Sequence, residues 1–253
     1  MMKTIKMVNI LLLFTVMIWT LTGCLKNNGN ILTSYGVGTI HVLENGTKYI
    51  LFDQNNLKIK SNQIKEEWEA GGRIFTGFTI NWDEQPSSTD TDNIYEANLN
   101  GTPDYFGLPK AFDTNPNGIW EQKFQTSDSL VNMTKPVITY PKNGPALLTI
   151  QTQMQFPNSG ETYSLNLAQL KEYVIGTKSD TLLLVYQRSG TGMPTNYITP
   201  WYSFTLPDYP ENINLIVRFK VKNNSFMPSD VNKKEGYYAF KTGYTVPSDE
   251  NNN

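Results

Sequence analysis

Thiol and imidazole are nearly absent from this chain of 253 residues, which carries one cysteine, Cys24, and one histidine, His41. A single thiol makes no intramolecular disulfide, so stability has to come from burial of apolar surface. Zinc sites built from Cys and His are excluded, as are Ser-His-Asp and Cys-His nucleophile systems unless His41 serves. His41 stands in YGVGTIHVL, whose alternation suggests a strand, and a lone strand histidine is expected to be structural or exposed. No Ser-x-x-Lys occurs, which removes the penicillin-binding-protein type of serine chemistry. Basic surplus is lacking too: 21 Lys and Arg face 23 Asp and Glu. That is no footprint for nucleic acid, which calls for a clustered basic surface.

What is present begins with three zones. MMKTIK supplies Lys3 and Lys6 with no acid, Met7 to Leu21 is almost wholly apolar, and the small residues Thr22 and Gly23 precede Cys24. A basic start, an apolar stretch and a small-residue cleavage site describe a secretory signal. The alternative is a transmembrane anchor, but a 15-residue helix spans roughly 22 Å, short of the ~30 Å hydrocarbon core. Leu21-Thr22-Gly23-Cys24 resembles the bacterial lipobox. The resemblance implies a thioether diacylglycerol on Cys24, cleavage before it, and an acylated new amino terminus. The membrane is then a partner through the lipid on Cys24. Each buried methylene contributes roughly 0.8 kcal/mol, so two or three chains make a durable anchor where one is marginal. Leu25 to Asn30, LKNNGN, reads as a flexible polar tether. Leu25 is not the aspartate that retains lipoproteins at the inner membrane of enteric bacteria, so the outer membrane is expected, with its leaflet open. Loss of Lys3 and Lys6 leaves 19 basic residues against 23 acidic ones in the mature chain.

The rest reads as all-β: short runs of Leu, Val, Tyr, Phe and Thr separated by Gly, Pro and Asn. Strands are expected at ILTSYGVGTIHVL, TKYILFD, LKIK, RIFTGFTINW and IYEANLN. Asn45-Gly46 forms a hairpin turn with positive φ at both positions, and Asn55-Asn56 forms the next turn. Glu66 to Gly72 is a polar connector. Five short strands in this length fit an OB-like barrel. Thr102 to Gly118, dense in Pro and Gly, marks a boundary. Beyond it LLTIQTQMQF alternates, with Leu148, Ile150, Thr152, Met154 and Phe156 inward and Thr149 and the glutamines facing water. TLLLVYQR is a continuous apolar run expected to be central. NLIVRFKVK puts Leu215, Val217, Phe219 and Val221 on one face. With ETYSLNL, PWYSFTL and GYYAFKTGY these strands suffice for an antiparallel β-sandwich. LAQLKEYVIG is open between strand and short helix. The expected organisation is a signal peptide over 1–23, a tether over 24–30, an OB-like β-barrel domain over 31–105, a β-sandwich over 106–247 and a frayed tail over 248–253.

This order of a lipobox, ENGTKYILFDQNNLKI, GGRIFTGFTI, SDTLLLVYQR, PWYSFTL and NLIVRFKVK resembles the NigD-like lipoproteins of Bacteroidota. The resemblance covers the mature chain as a sequence of strands and turns. It implies an OB-like domain before a sandwich and no established reaction or catalytic residue; the family's bacteriocin association makes an immunity role one further reading. Asp128-Ser129-Leu130 and Asp180-Thr181-Leu182 resemble the O-glycosylation acceptor of that phylum, with Ser129 and Thr181 as acceptors, although the strand around Thr181 looks buried.

Remaining candidates are sparse. Asp83, Glu84 and Asp90-Thr91-Asp92-Asn93 offer oxygens for calcium, but without the turn glycine and the twelfth-position glutamate of an EF-hand, so a solvated loop is expected. Trp82, Trp120, Trp201 and Tyr202 are candidate sugar platforms, with the core as the alternative place for strand aromatics. Trp201 and Tyr202 are adjacent and point to opposite faces, which favours exposure of one. Gly190-Thr191-Gly192 is a turn. No cofactor is expected. The leading expectation is a non-enzymatic envelope binding module whose partner is a glycan, a peptide or an envelope protein. The alternative is an envelope hydrolase with carboxylates gathered between the domains.

Overall fold

A computed structural model of the protein describes residues 30–86, 93–114, 117–141, 144–155, 162–172, 174, 176–189, 197–209, 213–222 and 235–241. These divide between two compact units, one within Met1–Glu66 and Thr76–Pro103, the other within Glu67–Phe75 and Asp104–Asn253. The signal peptide, Cys24, the tether before Asn30, most of the candidate calcium loop, Gly190-Thr191-Gly192 and the tail lie outside the described residues.

The first half of the chain yields strands β1 (Ile31–Val42), β2 (Lys48–Phe52), β3 (Lys58–Lys60), β4 (Arg73–Asn81), β5 (Ile94–Glu96) and β6 (Asn98–Gly107). They form one sheet in the order β5-β3-β2-β1-β4-β6. Antiparallel hairpins join β1 to β2 and β2 to β3, whereas β3 pairs parallel with β5. Alternation delivers Ile40, Ile50, Phe52, Ile59, Phe78 and Ile80 to the interior, with the Phe52 and Phe78 rings 4.6 Å apart. The Asn45-Gly46 turn differs from expectation. Gly46 has φ 84°, Asn45 is not left-handed, and Leu43 O accepts from Gly46 N at 2.9 Å. Leu43 N also bonds Thr47 O at 2.9 Å, so the loop is a type I turn followed by a bulge, which needs only one left-handed residue. At the Asn55-Asn56 turn it is Asn56 that is left-handed, at φ 53°.

Two features correct the strand reading of this region. IYEANLN is two strands, and β6 continues through Pro103 to Gly107 into the segment read as a linker. Pro103 is tolerated because β6 lies at the sheet edge, where a missing N–H costs no ladder bond. The sheet is open, not closed into a barrel, because its edge strands β5 and β6 do not pair with each other.

The second unit places β9 (Leu147–Gln155) at the centre of one sheet. On one side it pairs with β12 (Tyr197–Ile198) and β13 (Trp201–Thr205), on the other with β7 (Asn132–Met133) and β8 (Val137–Thr139). The other sheet runs β10-β11-β14-β15, from Tyr163–Gln169, Ser179–Arg188, Asn214–Lys220 and Glu235–Lys241. Leu148, Ile150, Met154 and Phe204 of the first sheet share one core with Leu165, Leu167, Leu184, Leu215, Val217 and Phe219 of the second. This is sandwich packing, but mixed: β11 and β14 pair parallel, contrary to the antiparallel expectation. The chain leaves β11, crosses to the opposite sheet for β12 and β13, and so returns to β14 in the same direction.

One α-helix among the described residues, α1 (Ile119–Thr126), was not expected. Gly118 precedes it at φ 67° without a side-chain cap. Its Phe124 packs with Leu183 and Val185 of β11, while Leu182, Leu184 and Tyr186 point into the sandwich core. The helix therefore explains why TLLLVYQR is continuously apolar: both faces of the strand are covered. The start of LAQLKEYVIG ends β10 at Gln169 and bends at Leu170 and Lys171, while Tyr173 and Ile175 lie outside the described residues. Thr149, expected to face water, is 3% exposed; its hydroxyl lies 2.9 Å from Ser203 Oγ and accepts from the buried Arg73 guanidinium at 3.1 Å. The polar connector conceals Trp68, buried and stacked on Tyr105 at 5.5 Å. Gly72 permits that contact, since a Cβ there would meet Tyr105 Oη at 2.4 Å.

Candidate functional site

Strand ends and turns of the first unit converge around a hollow of about 760 Å³. The hairpin turn brings Thr47 and Lys48, the end of β3 brings Lys60, Ser61 and Asn62, the end of β4 brings Asn81 and Glu84, and the end of β5 brings Glu96 and Asn98. Glu66 adds a third carboxylate, and Ile64 is the one large apolar side chain in the lining. Lys60 and Glu96 form an ion pair at 3.3 Å. Both are partly exposed, so its net contribution to stability is at most ~1 kcal/mol. Lys48 Nζ donates to the Glu66 carbonyl.

Two glutamines shape this region. Gln85 Nε2 donates to Asn81 O at 2.8 Å and Glu96 O at 3.0 Å, and its Oε1 accepts from Glu96 N at 2.8 Å. The side chain links the end of β4 to the end of β5, two strands that are not neighbours in the sheet. Gln63 bonds β6, accepting from Leu99 N at 2.7 Å and donating to Leu99 O at 3.3 Å. Each primary amide copies a backbone peptide, so it satisfies strand groups that have no neighbouring strand. Sequence reasoning missed both, because neither partner is near in sequence. Hydroxyls, amides, amines and carboxylates left around the hollow can bond a polar ligand from several sides.

The expected site residues do not come together. Trp82 opens a 3₁₀ turn, Trp82–Glu84, and is 41% exposed, its ring edge-on to Tyr95 at 5.0 Å. Trp201 is half-buried, stacked on Phe75 at 4.9 Å and near Phe106 at 6.2 Å. Tyr202 is half-buried too, so neither of the adjacent pair is left standing in solvent. The Lys110 ammonium lies 4.8 Å over the Tyr202 ring. Burial, then the neighbouring Tyr163 hydroxyl to which it bonds, raises the Tyr202 pKa far above that of a free phenol. Trp120 lies on α1 with the Lys123 ammonium 4.0 Å above it.

Ser129 sits half-buried between Asp128, whose carboxylate accepts from Arg188 N at 2.9 Å, and the buried Leu130. Thr181 is half-buried in β11. The Asp180 carboxylate beside it is buried and accepts from Gln169 at 2.9 Å and Tyr209 at 2.7 Å. His41 lies in β1, stacked on Tyr49 at 5.2 Å, with its pKa lowered by burial and by the Lys58 ammonium. Of the calcium candidates, Asp83 accepts a hydrogen bond from the Asn30 amide and Glu84 lines the hollow. Among the described residues no three His, Cys, Asp or Glu are grouped so that they could hold a metal ion, and no helix is long and apolar enough to cross a membrane.

The fold is shared with solved structures from Bacteroidota. A protein of unknown function from Bacteroides vulgatus matches with a TM-score of 0.58 and 20% identity, over 85% of this chain and 92% of that one. A Parabacteroides distasonis protein, named provisionally as toxin-related, matches with a TM-score of 0.55 and 16% identity, over 85% and 95%. A NigD-like immunity protein from Bacteroides caccae is also among the similar structures, with a TM-score of 0.47 and 9% identity over 83% and 91%. The shared fold rests on the first two. No family model and no curated protein matches the chain.

Proposed function

We propose that the protein is an outer-membrane lipoprotein, anchored through Cys24, whose first unit is a non-enzymatic binding module for a glycan of the cell envelope. One observation carries the ligand class: the hollow of the first unit is lined by hydroxyls, amides, amines and carboxylates, with Ile64 its one large apolar side chain. A pocket for an apolar ligand is lined mainly by hydrophobic side chains. A sugar presents a dense array of hydroxyls that both donate and accept, which suits this mixture. Glu96 is held by Lys60 as an ion pair, an arrangement suited to fixed hydrogen bonding to a ligand. The lipobox-like Leu21-Thr22-Gly23-Cys24 supports the anchor.

A photo-crosslinking residue in place of Asn62, in the native envelope, tests the reading. The expected product is an adduct whose size falls on glycosidase treatment and which disappears with Lys60→Ala or Glu96→Gln. An adduct with a protein, or none, overturns the glycan assignment. Release of cleaved sugar from the isolated ligand overturns the non-enzymatic one.

A further inference from the structure

We infer that the face of the first unit around Asn30 rests on the lipid–water interface of the bilayer, with Trp82 as its aromatic contact; this rests on the Cys24 anchor proposed above. The first two residues of β1 are large and apolar, and Ile31 is 42% exposed and Leu32 36% exposed. The Trp82 backbone is held at the start of β1, because its main-chain N–H donates to the Asn30 carbonyl at 2.7 Å and the Asn30 side-chain amide donates to Asp83. Exposed apolar side chains thus flank the point where the chain enters the fold, Ile31 and Leu32 on opposite faces of β1. From Cys24 to Asn30 there are six residue steps, which reach about 20 Å at full extension. The anchored sulfur lies at the edge of the hydrocarbon, and the headgroup layer beyond it is roughly 5–7 Å thick. This end of the first unit is therefore kept close to the membrane surface.

Trp and Tyr favour that layer because the ring is apolar and its polar edge finds water or headgroup oxygen. Tyr95 backs the Trp82 ring edge-on, which presents the indole as a fixed body rather than a swinging side chain. The charges beside Trp82 are the carboxylates of Asp83 and Glu84, so the occupant fits zwitterionic lipid, whose ammonium groups they can meet, better than an anionic surface. Glu84 also lines the hollow, and the proposed ligand would be bound close to the headgroups.

The test uses the lipidated full-length protein in zwitterionic phosphatidylethanolamine–phosphatidylcholine vesicles, with lipids brominated near the headgroup end of the acyl chain as tryptophan quenchers. Trp82→Phe keeps an aromatic edge against Tyr95. The wild type is expected to lose the emission that Trp82 supplies, Trp82→Phe to lose none, and added anionic lipid to give no increase. Ile31→Ser with Leu32→Ser should lower the quenching while the protein still floats with the vesicles. Flotation without any Trp82 quenching overturns the contact and leaves the anchor standing. Failure to float removes the anchor and the contact together. Shielding of Trp82 from acrylamide that grows with protein concentration in the absence of vesicles would assign the face to a second copy and also overturn the inference.

Discussion

The two units satisfy the backbone groups of their strands in different ways. The first has one open sheet, and the side-chain amides of Gln85 and Gln63 bond backbone groups of its edge strands β5 and β6. The second has two sheets face to face, and α1 covers the outer side of β11. A single curved sheet leaves its ends polar, and the hollow is what remains between those ends. A sandwich buries its inner faces and leaves less room for a polar cleft. The difference teaches that a binding surface here arises where backbone groups are satisfied by side chains rather than by another strand.

The largest test of this contrast is Phe219→Ala, which removes a fully buried ring from the shared core of the sandwich. It is expected to cost about 3–5 kcal/mol. Hydrogen exchange should speed across β10, β11 and β14. Phe124→Ala, next in size, should cost about 3 kcal/mol and expose β11 on its helix side alone, read as new protease or exchange access at Leu183 and Val185. If both variants loosen the whole unit equally, the helix is part of the same core and the contrast weakens.

Gln85→Leu and Gln63→Leu probe the other half. Each strips backbone groups of Glu96 or Leu99 of their partners, so a loss of about 0.5–1.5 kcal/mol is expected in urea unfolding. An unchanged midpoint would mean that water replaces the amide and that the glutamines do not hold the edge strands. Replacing Lys60 by Met should change stability by less than about 1 kcal/mol while abolishing the Asn62 crosslink.

The smallest expected effect is on pH dependence. His41 in the fold binds its proton more weakly than in the unfolded chain, first through burial and then through Lys58. Its contribution to stability is full above the unfolded value near 6.5 and is lost as pH falls through that value toward the lowered folded one. Melting followed between pH 7.5 and 5.5 should show a small drop that His41→Gln removes, by less than any substitution above.

Much of the fold was legible locally. Leu215, Val217, Phe219 and Val221 alternate in the sequence and are all buried in the structure. The Asn-rich turns fall where small polar residues can bend the chain. Pro103 was misleading because its tolerance depends on β6 being an edge strand, a fact of pairing and not of composition. Thr149 was misread because the strand rule assumes one wet face, whereas Arg73 and Ser203 supply its polar partners. Trp120 and Phe124, four apart among Glu, Gln and Lys, were the available signal for α1. Trp82, Trp201 and Tyr202 were visible as aromatics, but their exposure is set by Tyr95, Phe75, Phe106 and Lys110, which approach from other segments.

By itself the sequence determined the all-β character, the turns, the apolar faces and the absence of thiol chemistry beyond Cys24, because each follows from residue type and short-range spacing. The tertiary structure alone decided that the first sheet stays open, that β11 and β14 run parallel, and that polar strand ends gather into one hollow. Those outcomes depend on hydrogen-bond partners dozens of residues apart, such as Gln63 with Leu99, and on which face of a strand another element comes to cover.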